Sequence, residues 1–318
     1  MELIKNCKIH CLSTALSPIT HMMGTSGNES VINRESVLFK NKIRQVPVLS
    51  GNAIRHKMIR DPGGLYLIKE CGLVGKLNID QANYLLNGGS LTESSTTENL
   101  GRIAEMQTLM PLTRLLGGSL RNQVIGGSLF VLRGLLVCEE NRSQIQKQLP
   151  EGYELPEQAL RSAEDFIDQY QYTRGDAQKR NDADLMLEEK SDDVKSNLMI
   201  YNGQDVIPGS VFYHGFTLQN ISPIEVGALL HSLIQWDAAG GFIGGQSRIG
   251  HGKLKMSIFF EDGDDFMGNE LNPADIVKMY IDHVHANAEK IAQWLDDTFP
   301  NKGKKADAKK LAEGALGL

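Results

Sequence analysis

The sequence predicts an α+β fold with the ferredoxin-like order strand–helix–strand–strand–helix–strand. Three observations carry that expectation. Six elements in this order stand near residues 3–13, 50–61, 128–138, 210–219, 223–236 and 253–260 once polar insertions are set aside. The composition of the 318 residues is globular, with 41% hydrophobic and 23% charged, so a sizeable core forms without covalent staples. Ser222-Pro223-Ile224-Glu225 is a capping box with Pro at the first helical position, which fixes where the second core helix begins.

The elements follow in order. In Cys7-Lys8-Ile9-His10-Cys11-Leu12 the apolar residues alternate with Lys8 and His10, the period of a half-buried strand. Residues 14–49 read as a long irregular insertion with a turn at Gly24-Thr25-Ser26-Gly27-Asn28 and a basic stretch at Lys40, Lys42 and Arg44. Ser50 is placed to cap a helix whose Ile54 and Met58 face inward, and Asp61-Pro62-Gly63-Gly64 is expected to end it. Further helical pieces are expected near 79–87 and 99–116, then a buried strand over Ser128–Val137. Residues 139–200 turn polar, with helix-like pieces near 157–172 and a basic knot around Arg174, Lys179 and Arg180. Strand character returns at Ser210–Leu218. Val226, Leu229, Leu230 and Leu233 continue the capped helix, and Lys253–Phe260 closes the core. Asn272-Pro273 opens a last amphipathic helix with Ile276, Tyr280, Val284, Ala288, Ile291, Leu295 and Phe299 on one face.

Several functional classes are excluded. No run approaches 18 apolar residues, and Met1-Glu2-Leu3-Ile4-Lys5 does not lead into a secretory leader, so no membrane partner is expected and the expected compartment is the cytoplasm. Cys7, Cys11, Cys71 and Cys138 have no C-x-x-C spacing, and His283 and His285 diverge on a helix, so no metal is expected. No cofactor motif is present. The Gly-rich loop lacks the Gly and Ser/Thr of a P-loop, and no G-x-G-x-x-G follows a strand. No G-x-S-x-G or comparable nucleophile setting occurs.

Charge is unevenly placed. The net charge is −6, yet residues 1–60 hold nine Lys/Arg against three Asp/Glu, and residues 261–300 hold two against ten. One anion-binding face and one acidic face fit that distribution. Two pieces offer anion chemistry. The loop Gly240–Lys253 has six glycines in its first thirteen residues, which let backbone N–H groups approach an anion, and Arg248, His251 and Lys253 add charge. The helix start Ser50-Gly51-Asn52 presents unpaired N–H groups, with Asn52, Arg55 and His56 one turn apart and Arg60 beyond them. Tyr170, Tyr172 and Tyr201 flank the polar segment and suit either base stacking or ordinary packing.

Together these pieces resemble a family. Gly244-Gly245-Gln246-Ser247-Arg248-Ile249-Gly250-His251-Gly252-Lys253 is similar to the G-x-x-x-R-x-G-x-G-[KR] loop of the RAMP superfamily of CRISPR–Cas proteins. Val31-Ile32-Asn33-Arg34-Glu35, the stretch Val46–Arg55 and Pro111–Gly117 resemble further segments of that superfamily in the same order. The chain looks most like its backbone subunit, first in the type IV version and next in the type III version. The resemblance implies an RRM-like palm with a thumb, and a subunit that polymerises along CRISPR RNA. It divides the chain into a first palm part over 1–138 carrying the insertion 14–49, a thumb over 139–205, a second palm part over 206–262, a helix over 263–300 and a mobile tail over 301–318. Ser50, Gly51, Asn52, Arg55, His56, His21, Arg248, His251 and Lys253 would hold the guide, with Arg174, Lys179 and Arg180 as thumb contacts. Partners would be CRISPR RNA, neighbouring copies of the chain, other effector subunits and target DNA or RNA.

One departure bears on catalysis. Type III backbone subunits carry a catalytic Asp after the first strand, and residues 17–35 here contain none, with Asn28 and Glu29 near that place. The expectation is therefore a subunit with no catalytic residue. The competing readings are a metal-dependent endoribonuclease using Glu29, His21 and His56, and a ferredoxin-like metabolic enzyme whose Gly-rich loop holds a nucleotide phosphate.

Overall fold

The structure, a computed structural model, describes residues 4–91, 100–121, 123–173, 200–261 and 272–300. The basic knot with Arg174, Lys179 and Arg180, and the tail 301–318, lie outside the described residues. The fold is α+β, built on a mixed-length antiparallel sheet. Its strands are β1 (Ile4–Ala15), β4 (Arg34–Phe39), β5 (Lys42–Leu49), β8 (Leu129–Val131), β9 (Gly134–Leu136), β12 (Val211–Ile221) and β13 (Leu254–Phe260). They run in the order β13-β1-β12-β9-β5-β4, with β8 also paired to β12, while β6 (Gly118–Leu120) and β7 (Gln123–Ile125) form a separate hairpin. The four predicted core strands thus lie fourth, first, third, second, each pair antiparallel.

Alternation along the strands buries both faces. Phe212, Phe216 and Leu218 of β12 join Ile9 and Cys11 of β1 in the larger core. The intervening Val211 and Tyr213 join Leu135 and Val137 in a second cluster on the other face. Helix α7 (Pro223–Ala238) covers the first face and packs against α2 (Asp61–Glu70), α5 (Pro111–Leu116) and α8 (Pro273–Thr298). The expected helical pieces α3 (Ile79–Asn87) and α4 (Leu100–Leu109) form, with a short α6 at Arg142–Gln146. Its predicted capping box forms: the Ser222 N–H donates to Glu225 Oε2 at 2.7 Å, and that buried carboxylate also pairs with Arg114. On α8 the predicted stripe is buried at Ile276, Tyr280, Val284, Ile291 and Leu295.

Three expectations about the elements are corrected. The helix that starts at Gly51 does not end at Asp61-Pro62-Gly63-Gly64. It runs from α1 (Gly51–Ile54) through a π-helical stretch at Arg55–Arg60 into α2. The wider turn accommodates the missing Pro62 N–H, and Gly63 is there for packing, since a Cβ on it would run into Leu112 and Ser232. The insertion 14–49 is not irregular, because it supplies β2 (Met22–Ser26), β3 (Glu29–Ile32), β4 and β5. The helix-like pieces near 157–172 form only as short 3₁₀ helices at Glu157–Leu160 and Ala163–Phe166, and from Ile167 on that range is strand. They lead into β10 (Ile167–Thr173), which pairs with β11 (Ile200–Val206), and β11 pairs with β3 in a second sheet.

His10, expected on a solvent face, is 4% exposed. It hydrogen-bonds Tyr213 at 3.0 Å and stacks on Phe259, which in turn stacks on Tyr153. The segment 139–166, grouped by its polarity with the excursion, is what covers this face. Ile145, Leu149 and Ala159 are the few apolar residues it needs to do so.

Burial holds four of the eight histidines below their ordinary pKa: His10, His21, His214 and His231. His214, sealed against Ser13 at 2.9 Å, is lowered to about 4. Between that value and about 6.5 the unfolded imidazole binds a proton that the folded one refuses, so falling pH favours unfolding. Asp205, whose carboxyl burial pushes up, acts in the opposite sense, but it is outnumbered. Stability is therefore expected to be complete above pH 6.5 and to fall by on the order of 3 kcal/mol from His214 alone as pH approaches 4. Urea midpoints at pH 7.5, 6 and 5 check this, and a flat series contradicts it.

Candidate nucleic-acid interface

The two segments around the first insertion meet side by side. Arg34 pairs with Pro47 and Glu35 with Val46 across β4 and β5, and the Val48 N–H donates to the Asn33 carbonyl at 3.0 Å. This pairing places Arg34 and Glu35 beside the helix start. Arg133, at the break between β8 and β9, reaches the same place and pairs with Glu35 at 2.8 Å. The result is an open cleft of about 440 Å³ lined by Asn33, Arg34, Ser50, Asn52, Arg55 and Arg133, among others. Three guanidinium groups line the cleft with Glu35; Arg133 pairs with Glu35 and Arg34 lies 3.7 Å from Glu164, so the cationic excess that favours an anion rests on Arg55.

The helix start is built locally. Ser50 caps it by accepting the Ala53 N–H at 3.1 Å, and its own N–H donates to His21 Nε2 at 3.0 Å. By helical geometry, Gly51 and Asn52 are the first-turn residues whose N–H groups neither a helical carbonyl nor this cap reaches. Asn52 is exposed and Arg55 half-buried. The buried Nε of Arg55 has no partner among the described residues, and desolvation lowers the pKa of its guanidinium.

The Gly-rich loop is clamped rather than loose. Gly245 N–H donates to the Thr20 carbonyl, and Gly252 N–H to the Pro18 carbonyl, both at 2.7 Å. Ile243 is buried in the core, whereas Ile249 at the tip is 67% exposed between exposed Arg248 and Gly250. His251 shares a hydrogen bond of 2.7 Å with Thr20 Oγ1 and stands 3.8 Å from Asp205. Lys253 is exposed, and its N–H is held by Ser17 Oγ. Successive residues therefore link the two pieces: Thr20 holds the loop and His21 holds the helix start.

The expected residues are brought together unevenly. Ser50, Gly51, Asn52 and Arg55 line the cleft. Arg248 and Lys253 are exposed on the loop, while His251 and His21 serve as internal supports, with burial lowering the pKa of His21. His56 is not among the residues that line the cleft; its ring lies 3.3 Å from Asp61, five residues on, at the end of the π-helical stretch. Arg60 is buried and donates to the Gly117 carbonyl, so it is structural. Sequence reasoning did not assign Arg34 and Arg133. Arg34 was visible inside the Val31–Glu35 segment, but Arg133 carried no local signal. Glu29 is exposed on β3, away from the cleft lining. Among the described residues no helix is long and apolar enough to cross a membrane.

The fold is similar to a chain of a solved Type IV-B CRISPR complex, with a TM-score of 0.55 at 16% identity over 83% of this chain and 92% of that one. At this identity the likeness is one of fold. No protein-family model and no curated protein matches the sequence.

Gly252 tests the clamp. Its φ of +92° and the nearby Ile243 carbonyl leave no room for a Cβ. Gly252→Ala is expected to destabilise the chain by about 1–3 kcal/mol, read as a lower denaturation midpoint. An unchanged midpoint contradicts the clamped geometry.

Proposed function

We propose that this chain is a non-catalytic, RNA-binding backbone subunit of a type IV-like CRISPR effector complex. In this reading copies of it stack along CRISPR RNA, hold its sugar-phosphate strand, and leave the bases free to pair with target DNA or RNA. The single observation that carries the reading is the cleft where Arg34, Arg55 and Arg133 meet the capped helix start, with Arg55 left as the cation that has no acidic partner among the described residues. Guanidinium groups and helix N–H groups suit phosphate and read no base edges, so any guide sequence is held alike. The exposed Arg248 and Lys253 add cations on the loop tied through Thr20 and His21 to the same helix start. The likeness in fold to a chain of a Type IV-B CRISPR complex supports the assignment.

The rest of the sequence-derived plan belongs to this proposal. The central sheet with α7 and α2 is the palm, β10 and β11 with the segment between them belong to the thumb, and Arg174, Lys179 and Arg180 contact the guide from there. The basic first sixty residues and the acidic stretch 261–300 suit a head-to-tail contact that does not close, giving a helical filament. No strand scission belongs to this role. In this reading His21, whose Nε2 accepts the Ser50 N–H, and His56, 3.3 Å from Asp61, have supporting roles.

Two measurements test the proposal. Arg55→Ala and Arg248→Ala are each expected to weaken binding of single-stranded RNA about equally for unrelated sequences. Each should also lower the slope of log affinity against log salt by about 0.7. A change in sequence preference instead would refute the backbone grip. Incubation of the unaltered chain with guide and complementary RNA, with and without Mg²⁺, should leave both strands intact, and products lost on Glu29→Gln would establish a nuclease.

A further inference from the structure

The hairpin of β10 and β11 has two unlike faces. Alternation and register put Tyr170 and Tyr172 opposite Gly203 and Tyr201 on one face. Gln169 and Gln171 stand opposite Gln204 and Asn202 on the other. On the first face the rings form a strip. Tyr172 and Tyr201 lie 5.2 Å apart at 13° between planes, and Tyr170 follows at 6.2 Å and 16°. Gly203 is required under this strip, since a Cβ there would collide with the Tyr170 ring. The inner end of the strip meets the Gly-rich loop, where Tyr170 packs edge-on against His251 at 5.4 Å.

Cross-strand aromatic pairs stabilise strands, and that accounts for the pairing. It does not account for where tyrosine is used. The chain has eight tyrosines, and Tyr66, Tyr84, Tyr153, Tyr213 and Tyr280 pack in or against the two cores. The other three are all on this hairpin, in neither core, and Tyr172 is 42% exposed. Nor does the strip offer an anion site. β10 and β11 contain no Lys or Arg, and the inner end of the same face carries Asp168 and Asp205.

We propose that Tyr172 and Tyr201, backed by Tyr170, form a stacking platform for one unpaired nucleobase of the bound strand. The inference rests on the RNA-binding reading and deepens it: phosphate goes to the cations of the loop and cleft, and a base goes to the uncharged rings beside them. A π-face is common to all four bases, so the platform adds affinity without sequence preference.

The test uses the full chain. Tyr172→Trp places a fluorophore on the strip, while native Trp236 and Trp294 are buried. A single-stranded oligoribonucleotide is expected to quench it, and an abasic ribose-phosphate strand of equal length is not. Tyr172→Thr keeps a good strand former and is expected to weaken binding of the base-bearing strand by on the order of tenfold. It should leave the abasic strand's affinity unchanged, and Tyr172→Phe should keep the unaltered chain's affinity for both. Equal quenching by both strands, or equal weakening on both, overturns the platform while leaving the phosphate grip standing. Failure of the unaltered chain to bind either strand overturns the RNA reading itself.

Discussion

Thr20 and His21 are adjacent in the chain, yet they hold two parts of the molecule that sequence places far apart. The Thr20 carbonyl and hydroxyl engage Gly245 and His251, and the His21 ring accepts the N–H of Ser50. None of these hydrogen bonds is strong alone, at about 1 kcal/mol net each. Their value is geometric. They fix the Gly-rich loop and the helix start relative to one strand exit, so cations from both ends of the chain stand in a defined arrangement. A strand of phosphates has a fixed repeat, and a surface whose charges are held in place binds it without ordering side chains and loops at the moment of contact.

The burial of both sheet faces follows from the same economy. A protein with a net charge of −6 gathers a local excess of arginine by threading β4, β5 and the β8–β9 break past one another. The sheet must then be covered on its far side, and the segment 139–166 does so with few apolar residues. The consequence is a set of imidazoles kept neutral inside, His214 above all.

Much of the frame was legible in the sequence because it is written locally. The Ser222–Glu225 box, the stripe on α8 and the alternation in β1 and β12 are signals within a few residues of one another. What was hidden depends on partners distant in sequence. The helix passes Pro62 because Leu112 and Ser232 want a close neighbour at Gly63. His10 is buried because Tyr153 and Phe259 cover it. The candidate site divides the same way: Ser50, Arg55 and Arg248 stand in recognisable motifs, whereas Arg133 enters the cleft only through strand pairing. The contact of His56 with Asp61, five residues on, was hidden because a π-helical stretch cannot be read from 3.6-residue spacing.

The register of the outer hairpin has one more consequence. Thr173 and Ile200 are cross-strand partners, so the chain departs and re-enters at a single point. The pairing therefore sets no particular number of residues between the two. Evolution, or a protein engineer grafting a foreign module, can lengthen, shorten or exchange that stretch while the pairing beneath keeps its alignment.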